Sequence, residues 1–542
     1  MQDYSTAYGG FSIDEFERRV LQGSLQRGAN VCVECCDRWI DDGRIALRWV
    51  ARDFSIETIT FSDLRRDAAR FANVLRSRGI GRGDFVATLL PRIPELLSVI
   101  LGTWRVGAIY QPLFTAFGPA AIEQRVTAPG GSGAKLIVTD EANRSKLNDV
   151  ADCPRVLQVD RGSAGGTEFA AALDAQTDDF EPVLLSGDEP CILIFTSGTT
   201  GRPKGVRYPL RILLPVAEYM IDGLDVRASD RFWCAADPGW AYGMHYAVQG
   251  ALLLGHTTTM YEGAFSVEST VKVISELGIT NLAAAPTFYR LMMAAGQAAM
   301  APIAGRLRVA SSVGEPLNPE VIRWAERVLR CPLHDHYGQT EVGMPLNNHH
   351  GLNHPVKHGS AGVAMPGFKL AVLDESLQSV PDGVPGILAI HRSLSPLFTF
   401  RGYSNCESPN LRGDWHLTGD TVRRDEEGHY FFVGRSDDVI TSSGYRIGPF
   451  DVESVLIEHP AVAEVAVIGK PDPDRTEIVK AFVVLRSGFS ASSQLIGDLQ
   501  QHVRKRLSLH AYPREIEFIE ELPKTPSGKV QRFLLRQREV DA

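Results

Sequence analysis

Residues Phe195–Gly205 read FTSGTTGRPKG and directly follow the apolar run CILI at Cys191–Ile194. An apolar run of that length, ending abruptly in small and hydroxyl residues, predicts a buried strand that hands over to a loop. In the loop, glycines let backbone N–H groups approach a ligand, while Thr196, Ser197, Thr199 and Thr200 add hydroxyl donors. Arg202 and Lys204 add positive charge. This is the composition of a polyphosphate cradle. It is not a Walker A loop, because Lys204 is followed by Gly205 instead of Ser or Thr, and no G-x-G-x-x-G opens a helix in the chain.

Outward from this loop, strand-like and helix-like patterns alternate. FVATLL (Phe85–Leu90), KLIVTD (Lys135–Asp140) and NLAAAP (Asn281–Pro286) read as strands, and PELLSVILGTWRVG (Pro94–Gly107) and TVKVISELG (Thr270–Gly278) as helices. That rhythm predicts an α/β fold of helix-covered parallel sheets, with ligands meeting the chain at the carboxyl ends of strands. Past residue 360, KLAVLDE (Lys369–Glu375), GILAIHR (Gly386–Arg392) and HYFFVGR (His429–Arg435) predict a small β-rich module. From residue 438, helix patterns at Pro449–Pro460 and Ser492–Ser508 mix with strand patterns at Val462–Gly469, Ile478–Arg486 and Arg514–Leu522. The expected organisation is a large N-terminal domain over 1–436, its β-rich submodule at about 360–436, a hinge at Asp437, and a small mobile α+β domain over 438–542.

Bulk properties exclude several classes. The 542 residues exceed one hydrophobic core, and 44% hydrophobic with 22% charged residues is ordinary for a large soluble enzyme. Lys and Arg number 56 against 65 Asp and Glu, a net charge of −9, so no general attraction to nucleic acid or anionic membrane is expected. The first twenty residues lack a basic stretch followed by an apolar one, and LLSVILGTWRVGAIY is broken by charge, which predicts no integral membrane contact and a cytoplasmic protein. Eight cysteines without regular pairing predict reduced thiols, including Cys32, Cys35 and Cys36 of CVECC. His349, His350, His354 and His358 read as a solvated loop, and no transition metal is expected.

Five further motifs follow in order: VGEP (Val313–Pro316), DHYGQTE (Asp335–Glu341), LTGD (Leu417–Asp420), GRSDD (Gly434–Asp438) and PKTPSGKVQR (Pro523–Arg532). Together with the loop, over nearly the whole chain, they resemble the adenylate-forming superfamily of acyl-CoA synthetases, luciferases and peptide-synthetase adenylation domains. The run GRSDDVITSSGYRIGPFDVES and the segment LPKTPSGKVQR look most like short- and medium-chain acyl-CoA synthetases.

The resemblance implies an acid–thiol ligase. A carboxylate attacks the α-phosphate of ATP, giving acyl-AMP and pyrophosphate, and the CoA thiol then displaces AMP. It implies ATP and CoA as substrates, a small carboxylic acid, and Mg²⁺ bound by Glu341. Lys529 corresponds to the catalytic lysine that reaches the α-phosphate and the carboxylate, supported by Glu341 and Lys204. Thr196, Ser197, Gly198, Thr199, Thr200, Gly201 and Lys204 would hold the outer phosphates. Gly314, Glu315 and Pro316 with Asp335, His336 and Tyr337 would frame adenine, joined by Gln339 and Thr340 in the same motif. Asp420 and Arg435 would hold the ribose, and Arg446 is a candidate phosphate contact. The acyl pocket would be Trp240, Ala241, Tyr242, Val313 and Gly338. Acetate-specific relatives look to carry tryptophan where Gly338 stands, so a larger acid is expected, with Tyr242 refilling part of the space. Gly444 and Tyr445 would line the pantetheine tunnel, with Arg144, Lys505 or Arg514 near the CoA 3′-phosphate. Lysine-modifying enzymes acting on Lys529 are a possible further partner. The alternatives are an acetyl- or propionyl-CoA synthetase of the same family, and a freestanding adenylation enzyme that loads a carrier protein.

Overall fold

The chain is described by a computed structural model covering all residues except 42, 160–167, 197–201, 436–437, 443–444, 473–474, 509, 525–528 and 542, and excluding the side chains at 445, 446, 540 and 541. Strands apolar on both faces must be covered on both faces, and the first sheet obeys this. Arg155–Val159, Leu136–Asp140, Phe85–Leu89, Ile109–Pro112 and Pro190–Thr196 run parallel in that spatial order, and Lys204–Pro209 closes the edge antiparallel. The helix Phe61–Ser77 starts on a capping box between Thr60 and Asp63. It crosses the buried helix Pro94–Arg105 so closely that a Cβ on Gly102 would lie 2.8 Å from the Ala68 carbonyl oxygen. Trp104 from the second helix donates to the Cys191 carbonyl at 3.0 Å, tying that helix to the strand that carries the phosphate-type loop.

A second sheet sets Phe232–Cys234, Asn281–Ala284, Val309–Val313 and Leu333–Gln339 parallel, then Gly343–Asn347 and Val363–Ala364 antiparallel. Thr196, Val313 and Gln339 thus all stand at carboxyl ends of strands, where the alternating pattern expects a ligand. A five-stranded antiparallel sheet follows, from Leu370–Leu373 to Tyr430–Arg435. The last sheet joins Tyr445–Ile447, Ile440–Ser442, Thr476–Leu485, Val462–Asp472 and Glu515–Phe518, covered by the helices Pro449–Leu456, Ser493–Arg506 and Arg532–Asp541. This C-terminal body has a core of its own, built on Ile440, Val452, Leu456, Val467, Val479, Leu499 and Val503. No helix among the described residues is long and apolar enough to cross a membrane.

The histidine loop corrects one expectation. His349 and His350 are not solvated: they are 2% and 6% exposed, and only His354 and His358 are partly or fully exposed. The segment tucks against the second sheet, where His350 stacks on His334 at 3.8 Å and donates from Nε2 to the Ala310 carbonyl at 2.9 Å. His334, His336 and His350 bring nitrogens within 4.8 Å of one another. Two parallel stacked rings cannot both aim a lone pair at one ion, and His336 spends both nitrogens, on Tyr219 at 2.7 Å and the Asn348 carbonyl at 3.2 Å. Cys32, Cys35 and Cys36 are buried free thiols, and burial pushes all three well up in pKa.

Because the C-terminal body has its own core, its unfolding should be separable. Leu499→Ala, at a fully buried position, is expected to cost that body about 2–5 kcal/mol. In calorimetry it should shift one transition and leave that of the larger body in place; a single transition moving as a unit would refute the separation.

Candidate active site

Site geometry begins with the hairpin that carries the loop. Thr196 pairs with Lys204 across it, and residues 197–201 lie outside the described set, so Ser197, Gly198, Thr199, Thr200 and Gly201 receive no structural account. The hairpin is clamped from a distant segment. Asn405 accepts from the Gly205 N–H at 2.9 Å and donates to the Pro203 carbonyl at 2.9 Å, and the Ser404 N–H donates to the Gly205 carbonyl at 2.8 Å. Gly205 is required there, since a Cβ would lie 2.4 Å from the Ser404 hydroxyl. Next to the clamp, Tyr403 presents its ring to the Lys204 ammonium, 5.2 Å from the centroid, and donates its hydroxyl to Glu341 at 2.7 Å.

The second sheet supplies the opposite wall. Val313 ends its strand and Gly314 turns at φ +100, a left-handed conformation suited to glycine. Glu315 is held by Arg290 at 2.8 Å and by the Thr287 hydroxyl at 3.2 Å. Asp335 is buried, accepts from the Leu317 N–H at 3.3 Å through Oδ2, and has no partner for Oδ1 among the described residues. Burial drives its pKa well up. Tyr337 and Gln339 converge on Asp420, donating to its Oδ2 at 2.5 and 2.6 Å, while Arg435 approaches Oδ1 at 3.1 Å. Desolvation nevertheless raises the Asp420 pKa, with Arg435 pulling the other way. A carboxylate offers about four acceptor positions, so a further hydroxyl can still be received.

Trp240, Ala241 and Tyr242 follow a turn in which Asp237 accepts from the Gly239 N–H at 2.8 Å, and lead into the π-helix Gly243–Gly250. Trp240 packs between Phe114 and Phe117, with centroids at 5.3 and 5.7 Å. Tyr242 shares a hydrogen bond with Tyr219 at 3.0 Å. Gly338 needs correction on one point: the space beside it is not vacated volume. A Cβ there would lie 2.3 Å from both the Gly343 carbonyl oxygen and the Met344 sulfur, so Met344 occupies part of the room an indole would need.

All these walls face one cleft of about 1510 Å³, lined among others by Thr196, Lys204, Trp240, Tyr242, Val313, Gly338, Glu341, Asp420 and Arg435. The C-terminal body reaches into it with Lys524, Lys529, Arg532 and Arg536. Arg532 is fixed there by Glu453, with contacts at 2.7 and 2.8 Å, and Arg536 pairs with Asp438. The two bodies also touch through Asn318 and Ser454 at 3.0 Å and Arg323 and Glu458 at 3.2 Å. Asp437 and Gly444 lie outside the described residues, as do the side chains of Tyr445 and Arg446. Arg144, Lys505 and Arg514 are not among the residues lining the cleft. Sequence reasoning missed Tyr403 and Asn405, whose partners are distant in the chain, and His245 and Tyr246, which stood in an apolar run.

Residues 41–404 match the AMP-binding enzyme family and residues 451–529 match the AMP-binding enzyme C-terminal domain. The chain belongs to this family of AMP-binding enzymes. An acetyl-coenzyme A synthetase of Bacillus subtilis is 38% identical over 94% of this chain and 91% of its own length. The mitochondrial acyl-coenzyme A synthetase ACSM4 of Rattus norvegicus is 35% identical, over 97% of this chain and 94% of its own. The crystal structure of a Brucella canis acyl-CoA synthetase is 54% identical, covers 100% of this chain and 99% of that one, and superposes with a TM-score of 0.81. Within the family the protein is an acyl-CoA synthetase, an AMP-forming ligase that joins a carboxylic acid to CoA at the expense of ATP.

Because Gly338 has no room for a methyl group, Gly338→Ala is expected to cost about 1–3 kcal/mol through overpacking. Thermal melting checks this, and an unchanged melting temperature would show that Met344 and the Gly343 backbone give way freely.

Proposed function

We propose that this cleft activates a short- to medium-chain carboxylic acid as its adenylate and passes the acyl group to CoA. The observation that supports it most is the convergence of Lys529 from the C-terminal body with Lys204, Glu341 and Asp420 on one cleft. In the first step a carboxylate oxygen bonds to the α-phosphorus of ATP while the bond to the outgoing pyrophosphate breaks. Two anions must meet, so fixed positive charge is the main requirement. Lys529 supplies it between the carboxylate and the α-phosphate, and Lys204 with the loop from Thr196 holds the outer phosphates. Lysine fits the first task because a compact charge on a long stem can be delivered from a separate body. Acetylation of Lys529 by a lysine-modifying enzyme would remove that charge and stop this step.

Nucleoside recognition falls to the second sheet. Gly314, Glu315 and Pro316 with Asp335, His336 and Tyr337 frame adenine, and the unpartnered Asp335 Oδ1 is an acceptor suited to an exocyclic amine. Asp420 and Arg435 hold the ribose. Glu341 is a carboxylate on the phosphate side of the cleft, the donor type that Mg²⁺ takes alongside phosphate oxygens. When bound, Mg²⁺ would neutralise developing charge on those oxygens. In the second step the CoA sulfur bonds to the acyl carbon and AMP leaves. That step needs Lys529 withdrawn, by rotation of the C-terminal body about Asp437, with Gly444 and Tyr445 offered to the pantetheine arm and Arg446 to a phosphate. An acid longer than acetate is favoured because the cleft runs past Tyr242 to Tyr208, Ile212, Pro215 and Val216.

Lys529→Ala is expected to lower ATP–pyrophosphate exchange by at least about a hundredfold and to spare thioester formation from supplied acyl-AMP. Equal loss of both half-reactions would overturn the division between the two steps. A pH effect follows from Asp420. The ionised carboxylate is the form that accepts the ribose hydroxyls, and burial raises its pKa. ATP affinity should therefore be full above that raised pKa and fall as pH drops through it, earlier than for an ordinary aspartate. Asp420→Asn should weaken ATP binding and flatten this acidic limb in the pH profile of the KM for ATP; an unchanged limb would assign it to another group.

A further inference from the structure

The acyl end of the cleft carries polar groups that the reaction just described does not use. His245 is 4% exposed, lines the cleft, and its Nδ1 is bonded one helical turn on to Gln249 Oε1 at 2.9 Å. Its Nε2 has no partner among the described residues, and neither has the Gln249 amide nitrogen behind it. Tyr246 is 3% exposed and lines the same wall, bringing a hydroxyl to it. Tyr242 adds a third polar group: Tyr219 donates to His336 Nδ1 at 2.7 Å and receives Tyr242 at 3.0 Å, which leaves lone pairs on Tyr242. A buried polar atom without a partner costs stability, so a wall that keeps His245 Nε2 in that state is matched to a ligand that satisfies it.

We propose that the acid this enzyme activates carries a neutral hydroxyl on its tail, received by His245 Nε2 and the Tyr246 hydroxyl. The inference rests on the reading of the hollow beside Trp240, Tyr242 and Gly338 as the acyl pocket, and it names the class of acid that hollow takes. A hydroxyl suits both orientations of the His245–Gln249 pair. If Gln249 accepts from Nδ1–H, Nε2 is a lone pair that receives the substrate's O–H; if the amide is turned, Nε2–H donates to the substrate's oxygen. In either case the Tyr246 hydroxyl takes the complementary role. A second carboxylate on the tail finds no cation in the pair proposed to receive it: Tyr246 is uncharged, and burial pushes the His245 pKa down to about 4, which leaves the ring neutral. A plain alkyl tail would bury these groups against methylenes with nothing to bond.

The test compares hexanoate, each of its singly hydroxylated isomers, and adipate as the charged control, by ATP–pyrophosphate exchange and by CoA consumption with the intact enzyme. One hydroxylated isomer is expected to exceed hexanoate in kcat/KM by about tenfold or more, with most of the difference in KM, and adipate to be poorest. Tyr246→Phe, which removes one oxygen and no packing volume, should shrink that ratio severalfold. His245→Leu should shrink it as well, and serves where Tyr246→Phe folds poorly. Hexanoate equal to or better than every hydroxylated isomer, with a ratio that neither substitution moves, would overturn the proposal while leaving the enzyme an acyl-CoA synthetase of plain acids. Failure of the parent reading looks different, since then no acid in the panel would drive exchange and the proposal would fall with it.

Discussion

Like charges set the terms on which this fold works. At about 4 Å two unit charges repel by roughly 4 kcal/mol at the effective dielectric of a protein surface, and the reaction must bring a carboxylate against a polyphosphate. The chain as a whole carries a net charge of −9, so it offers no general attraction to such ligands. Cations from two bodies instead line one cleft beside acidic groups: Arg92, Lys204, Arg290 and Arg435 from the larger one, Lys524, Lys529, Arg532 and Arg536 from the smaller. The smaller body's arginines are themselves paired, Arg532 with Glu453 and Arg536 with Asp438, so they orient the segment more than they bind anions. Lys529 is the cation of that segment to which the proposed chemistry assigns a substrate contact.

The hairpin that carries the glycine- and hydroxyl-rich loop is held from outside itself. The fold answers with a strap from the far side of the larger body. Asn405 grips the start of the returning strand at Pro203 and Gly205, and the Tyr403 hydroxyl bonds Glu341 while its ring faces Lys204. One aromatic residue thus touches both a cation and an anion that line the cleft. The strap also couples the antiparallel sheet to the first sheet, which explains why both share one continuous core.

Much of this was legible in the chain and some was not. Pro190–Thr196 and Leu136–Asp140 announce themselves because a strand covered on both faces must be apolar throughout. The acyl-CoA synthetase motifs were legible because they cluster small, charged and turn residues where ordinary packing would not ask for them. The Asn405 clamp was not, since nothing local in an asparagine tells of a partner two hundred positions away. The burial of His349 and His350 was hidden for the same reason: a stretch of Asn, His and Gly has a solvated composition, and nothing local in it tells of the Ala310 carbonyl that receives His350 Nε2 or of the His334 ring on which His350 stacks. The helix Arg532–Asp541 was concealed behind the motif it follows. His245 and Gln249 did leave a signal, two polar residues one turn apart in the otherwise apolar run from Met244 to Leu254. A satisfied structural pair would have read the same way, and the two orphaned nitrogens distinguish the cases.

Selectivity and catalysis are built here from different materials. The cation proposed to drive chemistry, Lys529, stands on the C-terminal body, which meets the larger one through polar contacts such as Asn318 with Ser454 and the partly exposed ion pair of Arg323 with Glu458, a kind of pair that contributes little. The wall proposed to read the acid stands on the second sheet and on buried helices, where Tyr219, Tyr242 and Tyr246 pack ring on ring with centroids 4.6 to 6.2 Å apart. A rigid aromatic wall keeps polar atoms in place without a ligand, and so discriminates before any body moves. The cation proposed for catalysis needs no discrimination of its own, because the proposed wall has already held the acid. Separating the two tasks leaves the choice of acid to the tail pocket while the meeting of phosphate and carboxylate stays the same.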